Sequence, residues 1–196
     1  MKNQMQKYAF FLLLSLLASG SMYSQNIQGE SVIGINSGFS VAGAVLGLAG
    51  LVDDIETNTT PAWQVSYDYA IHDHISIGGA AGWQRFNLQY SNYGEEEVNF
   101  GVTLSRFNIG GRVLFHYGNS DRIDFYSGLK AGISNWSVDV DAEVQGYEPP
   151  KVAGVVPAFQ LIAFGLRGYV TSQLGLNAEI AFGAPHLATV GLTYRF

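Results

Sequence analysis

Downstream of residue 25, apolar and polar side chains alternate one by one along most of the chain. That is the period of a strand whose two faces meet different surroundings. The last segment is the clearest: Ala188, Val190, Leu192, Tyr194 and Phe196 alternate with Thr189, Gly191, Thr193 and Arg195. Just before it, Leu174, Leu176, Ala178, Ile180 and Phe182 alternate with Gly175, Asn177, Glu179 and Ala181, and the two segments predict a hairpin. Three more segments keep one parity. Ile123, Phe125, Leu129, Ala131 and Ile133 oppose Arg122, Asp124, Tyr126, Gly128, Lys130 and Gly132; Phe107, Ile109, Val113, Phe115 and Tyr117 oppose Asn108, Gly110, Arg112 and His116; Trp63, Val65, Tyr67, Tyr69 and Ile71 oppose Gln64, Ser66, Asp68 and Ala70. Ile33, Ile35 and Phe39 alternate with Gly34, Asn36, Gly38 and Ser40. Over 75–90 the parity slips between Trp83 and Phe86, which predicts a bulge. Over 158–170 it holds only with Gln160 facing out and Arg167 in.

The links between these segments alternate in length. Short turns are expected at 72–74, 118–121 and 171–173, and longer connections at 42–60, 91–99 and 139–153, with a brief one at 184–187. An up-and-down barrel of about eight strands with both ends on one side has this asymmetry. Which face points outward is decided by composition. The polar face is rich in small residues (Gly34, Gly38, Ser66, Gly78, Ala80, Gly110, Gly128, Gly132, Gly175, Gly191), as a narrow interior requires, whereas a wet exterior would carry Lys and Glu. Charged residues make up only 13% of the chain and aromatics as much again. The apolar face is therefore the outside, against the alternative of a soluble lipocalin-like barrel. Trp63, Tyr69, Phe115, Tyr117, Phe125, Phe182 and Tyr194 fall toward strand ends, where rings form interfacial girdles. The most apolar run, 154–166, is broken by Pro157 and Gln160 and is too short for a spanning helix. A closed antiparallel barrel is the remaining way to cross a bilayer.

The N-terminal residues read differently. Lys2 and Lys7, an apolar stretch over 8–17 and small residues over 18–24 make the three zones of a secretory signal peptide, cut near Ser24 and Gln25 or earlier, near Gly20. The expected organisation is a leader over 1–24 and one all-β, transmembrane barrel domain over 25–196. With no cysteine there is neither a disulfide nor a lipid-modified N-terminal Cys.

The leader, the eight alternating segments, the alternating links and the closing residues Leu192, Thr193, Tyr194, Arg195 and Phe196 resemble the small OmpA/OmpX-like outer-membrane barrels, in particular the PorT-like outer-membrane barrel domain. The resemblance implies a bacterial outer-membrane location and contact with outer-membrane lipid and lipopolysaccharide. It also implies that Leu192, Tyr194 and Phe196 are the signal read by the barrel-assembly machinery. It implies little about activity, because one fold hosts many functions.

Candidate chemistry is confined to a few places. Asp68, Arg112, Asp124, Lys130, Arg167, Glu179 and Arg195 fall on the inward face, where charges must pair, so a connected ionic network filling the lumen is expected. The alternative for the same residues is a gated ion path. Acidic residues crowd the expected external links: Asp53, Asp54, Glu56, Glu95, Glu96, Glu97, Asp139, Asp141, Glu143 and Glu148, countered by Lys151. They form a solvated negative rim or, through hard oxygen ligands, a cation site, although their spacing matches no calcium loop. A net charge of -6 argues against nucleic acid as a partner. Residues 41–51 are apolar and glycine-rich where a wet loop is expected. They predict a surface helix, a plug for the mouth, a docking segment or an extension of the first strand. No cofactor is implied. His74 and Ser76 form a weak His-x-Ser pattern like that of lipid A deacylase barrels, but on the side of the short turns, and His186 has no evident partner. The residues favour a non-enzymatic barrel with a plugged lumen, serving envelope integrity, adhesion or an envelope complex through a protein partner at its loops. The alternatives are a small channel for apolar molecules and a lipid A-modifying enzyme.

Overall fold

The computed structural model describes residues 26–49, 55–93, 98–117, 122–142 and 152–196; the expected leader lies outside them. The chain forms β1 (Ser31–Phe39), a helix α1 (Val41–Ala49), β2 (Ile55–Thr59), β3 (Ala62–His72), β4 (Ile75–Tyr93), β5 (Val98–Tyr117), β6 (Ile123–Ala142), β7 (Val152–Tyr169), β8 (Leu174–Gly183) and β9 (Ala188–Arg195). All pairings are antiparallel: β1 pairs with β3, each strand from β3 to β8 pairs with the next in the chain, and β1 also pairs with β9 along Val32↔Arg195 to Phe39↔Ala188. The pairing of β4 with β5 completes the ring, leaving no open sheet edge in the barrel wall. Eight strands are its staves. The short β2 continues the line of β3 along β4 after a break at Thr60 and Pro61, where proline has no N–H to give the ladder. At the rim that holds both ends, Ser31 and Phe196 exchange backbone hydrogen bonds of 2.9 Å.

The two faces separate as the alternation predicts. Ile35, Val65, Ile109, Leu129, Phe159 and Val190 all stand outward and exposed, and a closed belt of this kind needs hydrocarbon around it. Trp63, Trp83 and Phe107 lie side by side in register and form one aromatic row. Tyr117 and Phe125 pair near the other rim, where Tyr194 also lies. About ten residues separate Phe107 from Tyr117 on β5, the strand length that crosses a bilayer core.

Three expectations are corrected. β4 shows no slip between Trp83 and Phe86: its pairing with β5 runs without interruption there, and Phe86 and Leu88 face inward and are buried. The lumen contents change at that level, not the strand parity. Gln160 also faces in, 2% exposed, as does Arg167. Inward positions of opposite parity are reconciled by an extra residue, Ala163, bulged between Ile162 and Phe164, with the register shifting against both neighbouring strands. Finally, β4 to β7 run beyond the expected barrel wall into the outer links. The segment 41–49 is helical, which sets aside the extension of the first strand. Ser40 caps it, its Oγ accepting from the Gly43 N–H at 3.0 Å.

Candidate functional site

The bore is crossed by a chain of ionic side chains that small residues on the inner face make room for. A Cβ on Gly78 would overlap the Tyr67 carbonyl and Asp68, so glycine lets the Asp68 carboxylate reach the axis. Asp68 accepts from Arg112 Nε and Nη2 and from Arg167 Nη2, each at 2.5 Å. Arg112 Nη1 also donates to Glu179 Oε1 at 3.1 Å, and the Tyr126 hydroxyl donates to the same oxygen at 2.9 Å. Arg167 stacks over the Tyr126 ring at 4.6 Å and stands 3.8 Å from Asp124, whose carboxylate meets His116 Nδ1 at 2.9 Å. At the outer end Glu179 Oε2 is 3.4 Å from His186 Nε2. Burial holds the His186 imidazole below its ordinary range while Glu179 pulls it up. A bidentate guanidinium–carboxylate pair with a second guanidinium on the same carboxylate is the geometry that offsets the desolvation of such charges.

The outer half of the bore is differently built. Lys130 Nζ donates to Gln64 Oε1 at 3.0 Å. Arg106 Nη2 donates to Gln84 Oε1 at 2.7 Å and to the Pro185 carbonyl, and its guanidinium lies 5.1 Å from the Trp136 ring and 5.8 Å from Phe86. Residues 184–187 fold down as a cover. Gln160 Nε2 donates to the His186 carbonyl at 2.9 Å, the Leu187 N–H donates to the Phe39 carbonyl at 2.9 Å, and Gly183 enters the turn at φ +111°, a conformation that favours glycine.

Of the inward charges expected from the sequence, Asp68, Arg112, Asp124, Arg167 and Glu179 come together. Lys130 shares the bore but bonds an amide. Arg195 stands apart at the terminal rim, over the Tyr169 ring, donating to the Ser172 carbonyl and 3.6 Å from Glu30. His186, expected to lack a partner, has Glu179. Arg106, Gln64 and Tyr126 were not among the expected network members. Arg106 carries the same parity as Asn108 and Arg112, so extending the β5 pattern backward past Phe107 would have found it.

The remaining candidates sit on the surface or at the rims. Glu56, Asp139 and Asp141 are exposed on β2 and β6; Asp53, Asp54, Glu95, Glu96, Glu97, Glu143 and Glu148 lie outside the described residues. Among the described residues no group of three His, Asp or Glu is placed to hold a metal. His72, Asp73 and His74 make turn contacts, with the His74 N–H on His72 Nδ1 and Asp73 Oδ1 accepting from the Gln28 N–H. The Ser76 hydroxyl bonds Asn26 Oδ1. Leu192, Tyr194 and Phe196 are exposed on the outer wall, and Val41, Val45 and Leu48 form an exposed apolar face on α1.

No family model matches the chain, and no curated protein sequence matches it. Solved structures do. The attachment invasion locus protein Ail of Yersinia pestis, in complex with the heparin analogue sucrose octasulfate, superposes with a TM-score of 0.50 at 13% identity over 87% of this chain and 100% of that one. The outer membrane protein OprG from Pseudomonas aeruginosa gives 0.50 at 12% identity, over 88% and 99%. The likeness is one of fold. The chain has the fold of the small eight-stranded bacterial outer-membrane barrels, as the strand pattern predicts.

Proposed function

We propose that this protein is a non-enzymatic barrel of the bacterial outer membrane whose lumen passes no solute and which works through its outer surface, in envelope integrity, adhesion or as the scaffold of an envelope complex. The observation that carries this reading is the filled bore. Arg167, Tyr126, Leu114, Ile162, Gln64 and Glu179 are each less than 2% exposed or close to it and belong to strands all round the barrel. An eight-stranded interior is just wide enough for its own side chains. What is left to meet a partner is the outer rim, with exposed Glu56, Asp139 and Asp141, and the apolar face of α1. Reconstituted in planar bilayers, the pure protein is expected to show no steady conductance; a large, stable open state would overturn the reading. Cross-linking in native membranes is expected to trap a partner through Val45 or Leu48.

A second reading, a carrier of apolar molecules, is favoured by one feature. A groove of about 520 Å³ opens beside α1, between Phe39, Ala44, Pro61 and Val190. An acyl chain co-purifying in that groove would favour it over the first.

We further propose that Leu192, Tyr194 and Phe196 are read by the barrel-assembly machinery. The Phe196 ring is exposed, while its backbone closes the barrel against Ser31. Phe196→Ala is thus expected to lower the amount of folded barrel in cells several-fold while leaving refolding from urea unchanged; heat-modifiable migration on unboiled gels reads both.

A further inference from the structure

The outer half of the lumen holds more positive charge than its carboxylates balance. Among the described residues, the buried charged side chains of the bore are Arg106, Arg112, Lys130 and Arg167 against Asp68, Asp124 and Glu179. Arg112 and Arg167 share all three carboxylates. Among the described residues Lys130 and Arg106 take part in no ion pair; each donates to neutral oxygens, Lys130 to Gln64 and Arg106 to Gln84 and Pro185. Both are about 4% exposed, so solvent does not neutralise them.

Between these two cations lies an arc of amides. Asn36 is paired with Gln64 across β1 and β3, Gln64 with Gly82 across β3 and β4, and Gly82 with Asn108 across β4 and β5, which puts the three amides at one level of the barrel. Asn36 Nδ2, Gln64 Nε2, Asn108 Nδ2 and Arg106 Nε are all buried and bond no atom of the described chain, as are the amide oxygens of Asn36 and Asn108. Lys130 reaches this level from below, through its bond to Gln64. Arg106, two residues beyond Asn108 on the same face of β5, closes it from above. Buried N–H donors and uncompensated cations are each costly, and one group that accepts hydrogen bonds and carries negative charge relieves both. A neutral acceptor would satisfy the amides and leave the charge.

We propose that the outer lumen binds a small monovalent inorganic anion of the halide class between Lys130 and Arg106, on the amides of Asn36, Gln64 and Asn108. The excess of one cation sets the charge, and the narrow bore of an eight-stranded barrel sets the size. Residues 184–187 cover the site, since Arg106 also holds the Pro185 carbonyl, so the anion is a structural occupant of the plug and not a permeating one.

The test uses the full mature chain refolded in detergent, with thermal unfolding followed in sodium bromide and in sodium gluconate at equal ionic strength. Bromide is expected to raise Tm saturably, on the order of 5–10 °C at a hundredfold excess over Kd, and gluconate is not. Lys130→Met and Arg106→Gln are expected to abolish the rise. Should neither variant fold, crystals of the unaltered protein soaked in bromide decide the matter, with an anomalous peak expected within hydrogen-bonding distance of Lys130 Nζ. Equal stability in the two salts, a rise that both variants keep, or bromide peaks confined to the exterior would overturn the proposal.

Discussion

Asp68→Asn is expected to destabilise the refolded barrel by about 3–5 kcal/mol, the cost of breaking a buried ion pair from one side. The size follows from how much Asp68 holds. Its two oxygens accept three hydrogen bonds from two guanidiniums, and all three side chains are 2% exposed or less. An amide of the same shape keeps one acceptor oxygen, replaces the other by a donor and carries no charge. Arg112 then leans on Glu179 alone and Arg167 on the more distant Asp124. Urea unfolding in detergent, read by migration on unboiled gels, measures the loss. Replacing the triad together, with Asp68→Leu, Arg112→Met and Arg167→Met, is expected to cost at least as much, because Glu179 and Asp124 then stay buried without their guanidinium partners. An Asp68→Asn barrel as stable as the parent would mean that the network does not hold the bore together.

The alternation made most of the wall readable, since β3, β5, β8 and β9 each keep one parity and a lipid-facing residue can hardly be mistaken for a lumen residue. It failed where the lumen is itself apolar. Phe86, Leu88, Leu114 and Ile162 are inward and buried, and a pattern that equates apolar with outward reads Phe86 as a slip. The disagreement between Gln160 and Arg167 was the one visible sign of the bulge at Ala163: two polar residues of opposite parity in an apolar strand cannot both face in without an extra residue. The cover at 184–187 had no such sign. His186 and the Pro185 carbonyl meet Glu179, Gln160 and Arg106 from other strands, and long-range polar contacts of this kind leave no period in the sequence.

The second large effect is steric and lies beside the ionic chain, where Leu114, Tyr126, Ile162 and Ala181 form a small apolar cluster inside the bore. Gly165 faces the Tyr126 ring so closely that a Cβ would overlap its Cδ2, Cε2 and Cζ atoms. The ring has nowhere to go, because Arg167 lies over it and its hydroxyl is tied to Glu179. Gly165→Ala is therefore expected to cost about 3 kcal/mol, the upper end for an added methyl in a packed core, and bulkier side chains there to prevent folding. Gly168, three residues on in the same strand, has nothing within 4 Å of a built Cβ, so Gly168→Ala is the control and is expected to be neutral or slightly stabilising. In a Tyr126→Ala background the clash has no second partner, and Gly165→Ala should then cost a few tenths of a kcal/mol at most. Strictly additive effects of the two substitutions would show that the Gly165 contact with the ring is not what fixes Tyr126. A strong coupling would tie glycine at this one position to the packing that brings the Tyr126 hydroxyl onto Glu179, and so link the apolar cluster of the lumen to the ionic chain beside it.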